Sequence, residues 1–100
     1  MVFEWDEAKR LANIEKHGID FVDVDEVFAG PFVETKDLRR DYGEQRYRAV
    51  GLLGGHVVQV AYTWRNGRRR IISARRAGRN DRRTYHASIA ASGEEDEKPD

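Results

Sequence analysis

Residues 56–75 read HVVQVAYTWRNGRRRIISAR and carry the strongest structural signal in the chain. Apolar side chains alternate through the first half, so that four of them share one face: Val58, Val60, Tyr62 and Trp64. Asn66-Gly67 is the dipeptide favoured in two-residue hairpin turns, because both turn positions need a positive φ. Residues 68–75 alternate again. The stretch therefore predicts a β-hairpin, and Trp64 is expected in its core-facing row.

The same two-residue period extends upstream of the hairpin. Residues 45–53 alternate and then reach Gly54-Gly55, a second turn signal. A shorter strand is predicted around Phe32–Thr35, before a charged loop that ends near Tyr42-Gly43. These segments together predict a sheet of three to four antiparallel strands.

Helical signals occupy both ends of the chain. Asp6 is placed to cap a first helix that runs to about Lys16, with Gly18 just past its end. Its expected core stripe is Ala8, Leu11 and Ile14, with Ala12 beside them, and its expected polar face is Lys9, Asn13, Lys16 and His17. Asp20 and Asp23 are predicted to cap a second helix, which Gly30-Pro31 ends. A final helix is predicted from Asn80 or Asp81 to about Ala91.

This order of elements predicts an α+β domain, with two N-terminal helices and one C-terminal helix on one face of a small antiparallel sheet. One hundred residues suffice for one domain with one core. We place this single domain at residues 1–92. Residues 93–100 read GEEDEKPD and are too polar to pack, so a disordered acidic tail is expected there.

The composition excludes several classes of protein. Without cysteine there are no disulfides and no thiolate metal sites, which fits a reducing cytoplasm. The chain has neither a run of 18 apolar residues nor a signal-peptide pattern at its start, so we expect a cytoplasmic protein that does not enter membranes. The three histidines are far apart in sequence, and no Glu/His pair has ligand spacing. We therefore expect neither a metal nor a cofactor.

The formal net charge of zero conceals a strong asymmetry. Residues 1–44 hold 12 acidic and 6 basic residues, whereas residues 65–83 hold nine arginines and one acid, Asp81. Guanidinium groups bind phosphates bidentately, so the segment predicts a polyanionic partner. Arginines stand at both ends of the second hairpin strand, and we expect them to have no acidic partners within the protein. The alternative is an edge strand that its charges protect from aggregation.

Several blocks of the chain, within residues 3–86, resemble the BrnT family of toxins. The blocks are FEWDEAK at 3–9 with Asn13, KHG at 16–18, Phe21, EVF at 26–28, YGEQR at 42–46, YTWR at 62–65, RIISARRA at 70–77, and Arg82, Arg83 and Tyr85. The resemblance implies a RelE-like fold and a ribonuclease toxin that inhibits translation. It also implies a BrnA-like antitoxin of the ribbon-helix-helix type, through which the pair binds its own promoter DNA.

Metal-independent RNA cleavage by 2′-hydroxyl attack requires a base, an acid and cations near the phosphate. We predict a catalytic set of His17, Arg65, Arg75, Arg76 and Tyr85. We predict an RNA-binding set of Lys9, Asn13, Lys16, Arg68, Arg70, Arg79 and Arg82.

Several interpretations stay open at this stage. His17 is either a proton-transfer group or a helix-ending residue that hydrogen-bonds the last carbonyls. Tyr85 is either a group at the RNA site or a buried core aromatic. The whole chain is either a ribonuclease or a non-catalytic module whose arginine hairpin binds nucleic acid or an acidic partner. The titratable group on the Lys9/Lys16/His17 face favours the ribonuclease.

Overall fold

The structure is a computed structural model that describes residues 3–92. Its elements follow in chain order: β1 (Phe3–Trp5), α1 (Glu7–His17), a 3-10 turn (Phe21–Asp23), α2 (Asp25–Ala29), β2 (Phe32–Lys36), β3 (Tyr47–Leu53), β4 (His56–Arg65), β5 (Arg68–Arg76) and α3 (Arg79–Ser92). The predicted acidic tail, residues 93–100, lies outside the described residues. No helix within residues 3–92 is long and apolar enough to cross a membrane.

The four antiparallel strands agree with the sequence pattern. β2, β3, β4 and β5 pair in that order, each antiparallel to the next. Asn66 and Gly67 have φ values of 54° and 76°, and Gly54 and Gly55 have values of 59° and 83°. Both hairpin turns therefore have the positive φ at two successive positions that their sequences predicted.

The prediction of three to four strands was wrong by one, because the sheet also contains β1. β1 lies parallel to β5 at the edge of the sheet, with Phe3 opposite Arg69 and Trp5 opposite Ile71. A strand of three residues is too short to show a two-residue period in the sequence. The order of the complete sheet is β1-β5-β4-β3-β2.

The helices cover both faces of the sheet, which corrects the expected arrangement on one face. Ala49 of β3 belongs to the larger core, under the 3-10 turn and α2, whereas the next residue, Val50, packs in a second core that contains Tyr85 of α3. Successive strand residues point to opposite faces. Because β3 and β4 carry adjacent apolar residues, both faces of the sheet need a cover, and α3 provides the second one.

The predicted core stripe of α1 was also wrong. Ala8, Leu11 and Ala12 are exposed, and only Ile14 of that set is partly buried. The buried residue of α1 is Asn13, which is 6% exposed. The helix contacts the sheet through an amide that hydrogen-bonds the backbone of β5, so the apolar pattern pointed to the wrong side.

The ends of α1 are as predicted. Asp6 is the N-cap, and its Oδ1 accepts a hydrogen bond from the backbone N–H of Ala8 at 2.8 Å. Gly18 follows the last turn in the left-handed conformation, with φ of 72°, and its N–H donates to the Ile14 carbonyl. His17 is therefore the last residue of α1, directly before the glycine that ends the helix.

Candidate nucleic-acid interface

A groove between α1 and β5 brings together the polar residues predicted on α1. Its α1 side is formed by Lys9, Lys16 and His17, and its β5 side by Ile72 and Ser73. The three α1 residues follow one another at helical spacing on one side of the helix. The α1 groove is therefore lined by two lysines and a histidine that share one face.

A second groove adjoins the first at the hairpin end of β5. It is lined by the basic residues Lys9, Arg46, Arg65 and Arg70, by the carboxylates of Asp6 and Glu44, and by Thr63, Ile71 and Ile72. Lys9 and Ile72 line both grooves. We call the combined surface the cationic groove, and its basic residues are Lys9, Lys16, His17, Arg46, Arg65 and Arg70.

The arginines of the cationic groove have acidic partners, contrary to the sequence-based expectation. Arg65 lies 3.4 Å from Glu44 and Arg46 lies 3.1 Å from the same carboxylate. Arg70 lies 3.0 Å from Glu4, which comes from β1. Hydrogen bonds from Arg46 and then Arg65 hold the pKa of the Glu44 carboxyl below its ordinary value, although partial burial opposes them. Part of the positive charge is therefore already neutralised.

The α1 side of the groove keeps its charge. Among the residues that the structure describes, neither Lys9, Lys16 nor His17 forms an ion pair. Within the same part of the chain, no three His, Asp or Glu side chains are grouped as metal ligands would be. The lysines and the histidine of α1 are thus the groove residues that face solvent without an acidic partner.

Arg75 and Arg76 stand at the other end of β5 and line neither part of the cationic groove, although Arg75 is two residues from Ser73 of the α1 groove. With Arg79 and Asp81 they line a separate open depression at the start of α3. Arg75 is five positions from Arg70, the groove residue of β5 nearest the hairpin turn, which is roughly 17 Å of strand. The five residues predicted as catalytic therefore line three different pockets: His17 and Arg65 line the cationic groove, Arg75 and Arg76 line this depression, and Tyr85 lines a cavity beneath α3.

Tyr85 lies on the side of α3 that packs against the sheet, so the geometry supports its interpretation as a core aromatic. It is 4% exposed and packs in the second core with Val50, Val57 and Ala77. Arg82, on the same helix, donates a hydrogen bond to the Ala77 carbonyl at 3.0 Å.

The remaining RNA-binding candidates differ in their accessibility. Arg68 is exposed beside the hairpin turn. Asn13 is buried, and its amide hydrogen-bonds the backbone of Ile19 and Ala74. The polar atoms of Asn13 are therefore used in hydrogen bonds within the protein and are not available to bind RNA.

Two arginines outside the predicted sets occupy prominent positions. Arg46 lines the cationic groove, and Arg69 lies over Phe28 at 4.1 Å and over Trp64 at 4.6 Å. Burial lowers the pKa of the Arg69 guanidinium from its ordinary value, with Glu34 opposing the shift. Trp64 is 45% exposed, so it does not belong to the core as predicted. The antiparallel register across β3, β4 and β5 is the signal that would have placed both arginines.

Comparison with known proteins gives one family. A family model described as the ribonuclease toxin, BrnT, of type II toxin–antitoxin systems matches residues 5–81. The matched range contains all the basic residues of the cationic groove and ends before Tyr85. A search of curated proteins found no match.

Proposed function

This chain belongs to the BrnT family of ribonuclease toxins of type II toxin–antitoxin systems, and we propose that it inhibits translation by cleaving RNA in the cationic groove. The observation that supports this site is the meeting of His17, Lys9 and Arg65 on one continuous surface. Histidine is the usual group for proton transfer near neutral pH, and the cations suit a phosphate. The groove thus combines both requirements of the reaction.

We propose a reaction that starts with removal of the proton from a ribose 2′-hydroxyl. The 2′-oxygen attacks the adjacent phosphorus, the bond from phosphorus to the 5′-oxygen breaks, and that oxygen takes up a proton. The products are a 2′,3′-cyclic phosphate and a 5′-hydroxyl. We assign one of the two proton transfers to His17. Negative charge grows on the phosphate oxygens during the attack, and Lys9, Arg65 and Arg70 would stabilise it.

The ion pairs of the groove are compatible with this role. The Arg65 side chain is 50% exposed, and its contact with Glu44 is long for an ion pair, at 3.4 Å. Exposed pairs of this kind contribute about 0–1 kcal/mol. A bound phosphate can therefore take the place of Glu44 on Arg65 at little cost in stability.

The decisive experiment uses purified protein, end-labelled RNA and EDTA. We expect cleavage in EDTA, with products that end in a 2′,3′-cyclic phosphate or a 3′-phosphate. Products with 5′-phosphates that form only when Mg²⁺ is added would exclude the proposed reaction. Binding of RNA without any cleavage would instead favour the alternative function, a module that only binds nucleic acid.

The partner of a type II toxin is an antitoxin. We propose that it is a BrnA-like protein of the ribbon-helix-helix type and that promoter DNA is bound only through it. We place its docking surface on the hairpin end of the sheet, where Arg65 and Arg68 flank the turn and Trp64 is partly exposed. There the antitoxin would cover one end of the cationic groove and exclude RNA.

A further inference from the structure

A partly enclosed cavity of about 220 Å³ lies between α3 and the sheet. None of the residues that line it lines the cationic groove, so the two are separate pockets. Its polar lining comes from Thr35, Arg48, Asp81 and Thr84, and its apolar lining includes Tyr85. A cation, a carboxylate, two hydroxyls and an aromatic ring thus surround one small space.

Arg48 is the unusual member of this lining. Its Nε–H is fully buried and has no hydrogen-bond partner. Within residues 3–92 the Arg48 guanidinium also forms no ion pair. A buried donor without an acceptor is unfavourable, and in native proteins nearly every such group is satisfied by protein, water or a ligand. Because the Nε–H is closed off from the cavity, a ligand there would reach the terminal N–H groups of the guanidinium, which form no hydrogen bond among the described residues.

Asp81 does not supply that acceptor, although it lines the same cavity. Its Oδ2 accepts a hydrogen bond from Gln59 Nε2 at 2.8 Å, and Gln59 Oε1 accepts one from Arg75 Nε at 3.4 Å. This chain of bonds holds Asp81 beside Arg48 without pairing the two. A ligand that carries both an anion and a hydrogen-bond donor would satisfy both groups at once.

We propose that this cavity binds one ribonucleotide unit, with a phosphate on Arg48 and a ribose hydroxyl donating to Asp81. A guanidinium offers parallel N–H groups that match two phosphate oxygens, and the hydroxyls of Thr35 and Thr84 are further donors for the same group. Asp81 also lines the depression that contains Arg75, Arg76 and Arg79. RNA held in the cavity would therefore continue over three more cations. The identification of this ligand as a segment of the RNA substrate rests on the proposed function.

The binding test uses uridine 3′-monophosphate with the full chain, followed through the NMR signal of the Arg48 Nε–H. We expect this signal to shift on titration and Arg48→Gln to weaken binding by about tenfold or more, as for the loss of a charged hydrogen bond. Arg83→Gln removes an exposed arginine of α3 outside the cavity and should bind like the wild type. The 2′-deoxy analogue should bind several-fold more weakly than the ribonucleotide, and Asp81→Asn should remove that difference.

Three results would overturn the proposal. The first is unchanged nucleotide affinity in Arg48→Gln, and the second is equal affinity for inorganic phosphate and the nucleotide. The third is a loss of antitoxin binding, rather than nucleotide binding, on substitution of Arg48, which would make the cavity a docking pocket. If Arg48→Gln does not fold, the nucleotide affinity of Arg48→Lys and the shift of the wild-type Nε–H signal test the proposal in its place. Nucleotide binding at Arg48 in a chain that cleaves no RNA would refute the proposed function and leave this inference standing.

Discussion

The side chain of Asn13 pairs with the backbone of Ala74 as a neighbouring strand would. Its Nδ2 donates to the Ala74 carbonyl at 2.8 Å, and its Oδ1 accepts from the Ala74 N–H at 3.1 Å. The second hydrogen of Nδ2 goes to the Ile19 carbonyl at 2.9 Å. β1 pairs with β5 only as far as Ile71. The amide of Asn13 therefore continues the pairing of the β5 edge from α1 and holds the α1 side of the groove against the sheet.

We expect Asn13→Asp to lower the free energy of unfolding by about 2–4 kcal/mol. The carboxylate keeps the shape of the amide but faces two carbonyls without a proton to donate, and buried groups left unsatisfied cost about 1–3 kcal/mol each. Urea unfolding measures the change. Glu15→Gln alters an exposed residue of the same helix and should stay within about 0.5 kcal/mol of the wild type. Equal stability of the two variants would contradict the role given to the Asn13 amide.

The pH dependence of stability should depend on Asp37. Its side chain is 3% exposed and lies 2.7 Å from Arg39. Hydrogen bonds from Arg39, assisted by one from Tyr42, hold the pKa of Asp37 well below its ordinary value, while burial opposes them. The unfolded chain has the ordinary pKa of about 3.9, so ionised Asp37 stabilises the fold above that pH and this contribution is lost as pH falls below about 4.

The measurement is Tm as a function of pH. Asp37→Asn should lower Tm near neutral pH and should flatten the decline of Tm in acid. Asp41→Asn changes an exposed carboxylate in the same loop and should keep the acid decline of the wild type. The same decline in both variants and the wild type would show that Asp37 does not couple folding to pH.

How far the sequence predicted this fold depends on how local each signal is. The Asn66-Gly67 turn and the Asp6 cap involve neighbouring residues, and both were confirmed. The parallel pairing of β1 with β5 joins residues more than sixty positions apart through a strand of three residues. No periodic pattern can report such a contact. Likewise, a polarity pattern treats Asn13 as a surface residue, since it does not record that an amide can satisfy a strand edge.

The candidate site was predictable in part for the same reason. The sequence grouped Lys9, Lys16 and His17, because helical spacing alone brings them together. It did not show that Glu44 would reach Arg65 across 21 positions, since this requires the register of β3 against β4. It also treated the arginines at both ends of β5 as one set. A strand of nine residues is long enough to place them in separate surfaces.

His17→Gln should lower kcat for RNA cleavage by about 100-fold or more, which is the usual effect of removing a proton-transfer group. The variant should also lose one limb of the pH–rate profile, whereas a residue that only ends a helix would leave that profile unchanged. His56→Gln and His86→Gln are matched controls, because both histidines are exposed and lie outside the groove. If all three variants cleaved RNA at the same rate, His17 would have no part in the chemistry.

Arg65→Ala should reduce kcat/KM by about 100-fold, because loss of one group that stabilises developing charge costs about 2.7–4 kcal/mol. Arg75→Ala should also remove most of the activity, through the separate surface at the start of α3. Since the two residues lie far apart, their effects should multiply in the double variant. Arg83→Ala is the control for loss of one exposed arginine, and Tm checks that each variant folds. Wild-type toxicity of both single variants in cells would make these arginines ordinary surface residues.

The antitoxin surface can be tested without disturbing the core, because the structure separates the arginines of the hairpin by role. Arg69 packs over Phe28 and Trp64, and Arg70 pairs with Glu4, so substitution of either would alter the fold around it. Arg65 and Arg68 are exposed on the two sides of the turn. The double variant Arg65→Ser/Arg68→Ser therefore changes the charge of the docking surface without disturbing the core, and it is followed through antitoxin binding because Arg65 also lines the cationic groove. A chain that lacks residues 93–100 tests whether the acidic tail, rather than the antitoxin, covers the arginine hairpin. A large gain of activity without antitoxin would identify the tail as an inhibitor.

We expect charge and apolar contact to act on different steps of antitoxin binding. The Arg65→Ser/Arg68→Ser variant should associate more slowly and depend less on salt, because complementary charge mainly raises the rate of encounter. Trp64→Ala should instead speed dissociation and raise Kd by about thirtyfold or more, as expected when a central aromatic anchor is removed. Leu52→Ala is the matched control, since Leu52 is a similarly exposed apolar residue near the opposite turn of the sheet. Surface plasmon resonance at two salt concentrations measures both rates. If Leu52→Ala weakened binding and Trp64→Ala did not, the antitoxin would dock at the other end of the sheet, away from the arginine hairpin.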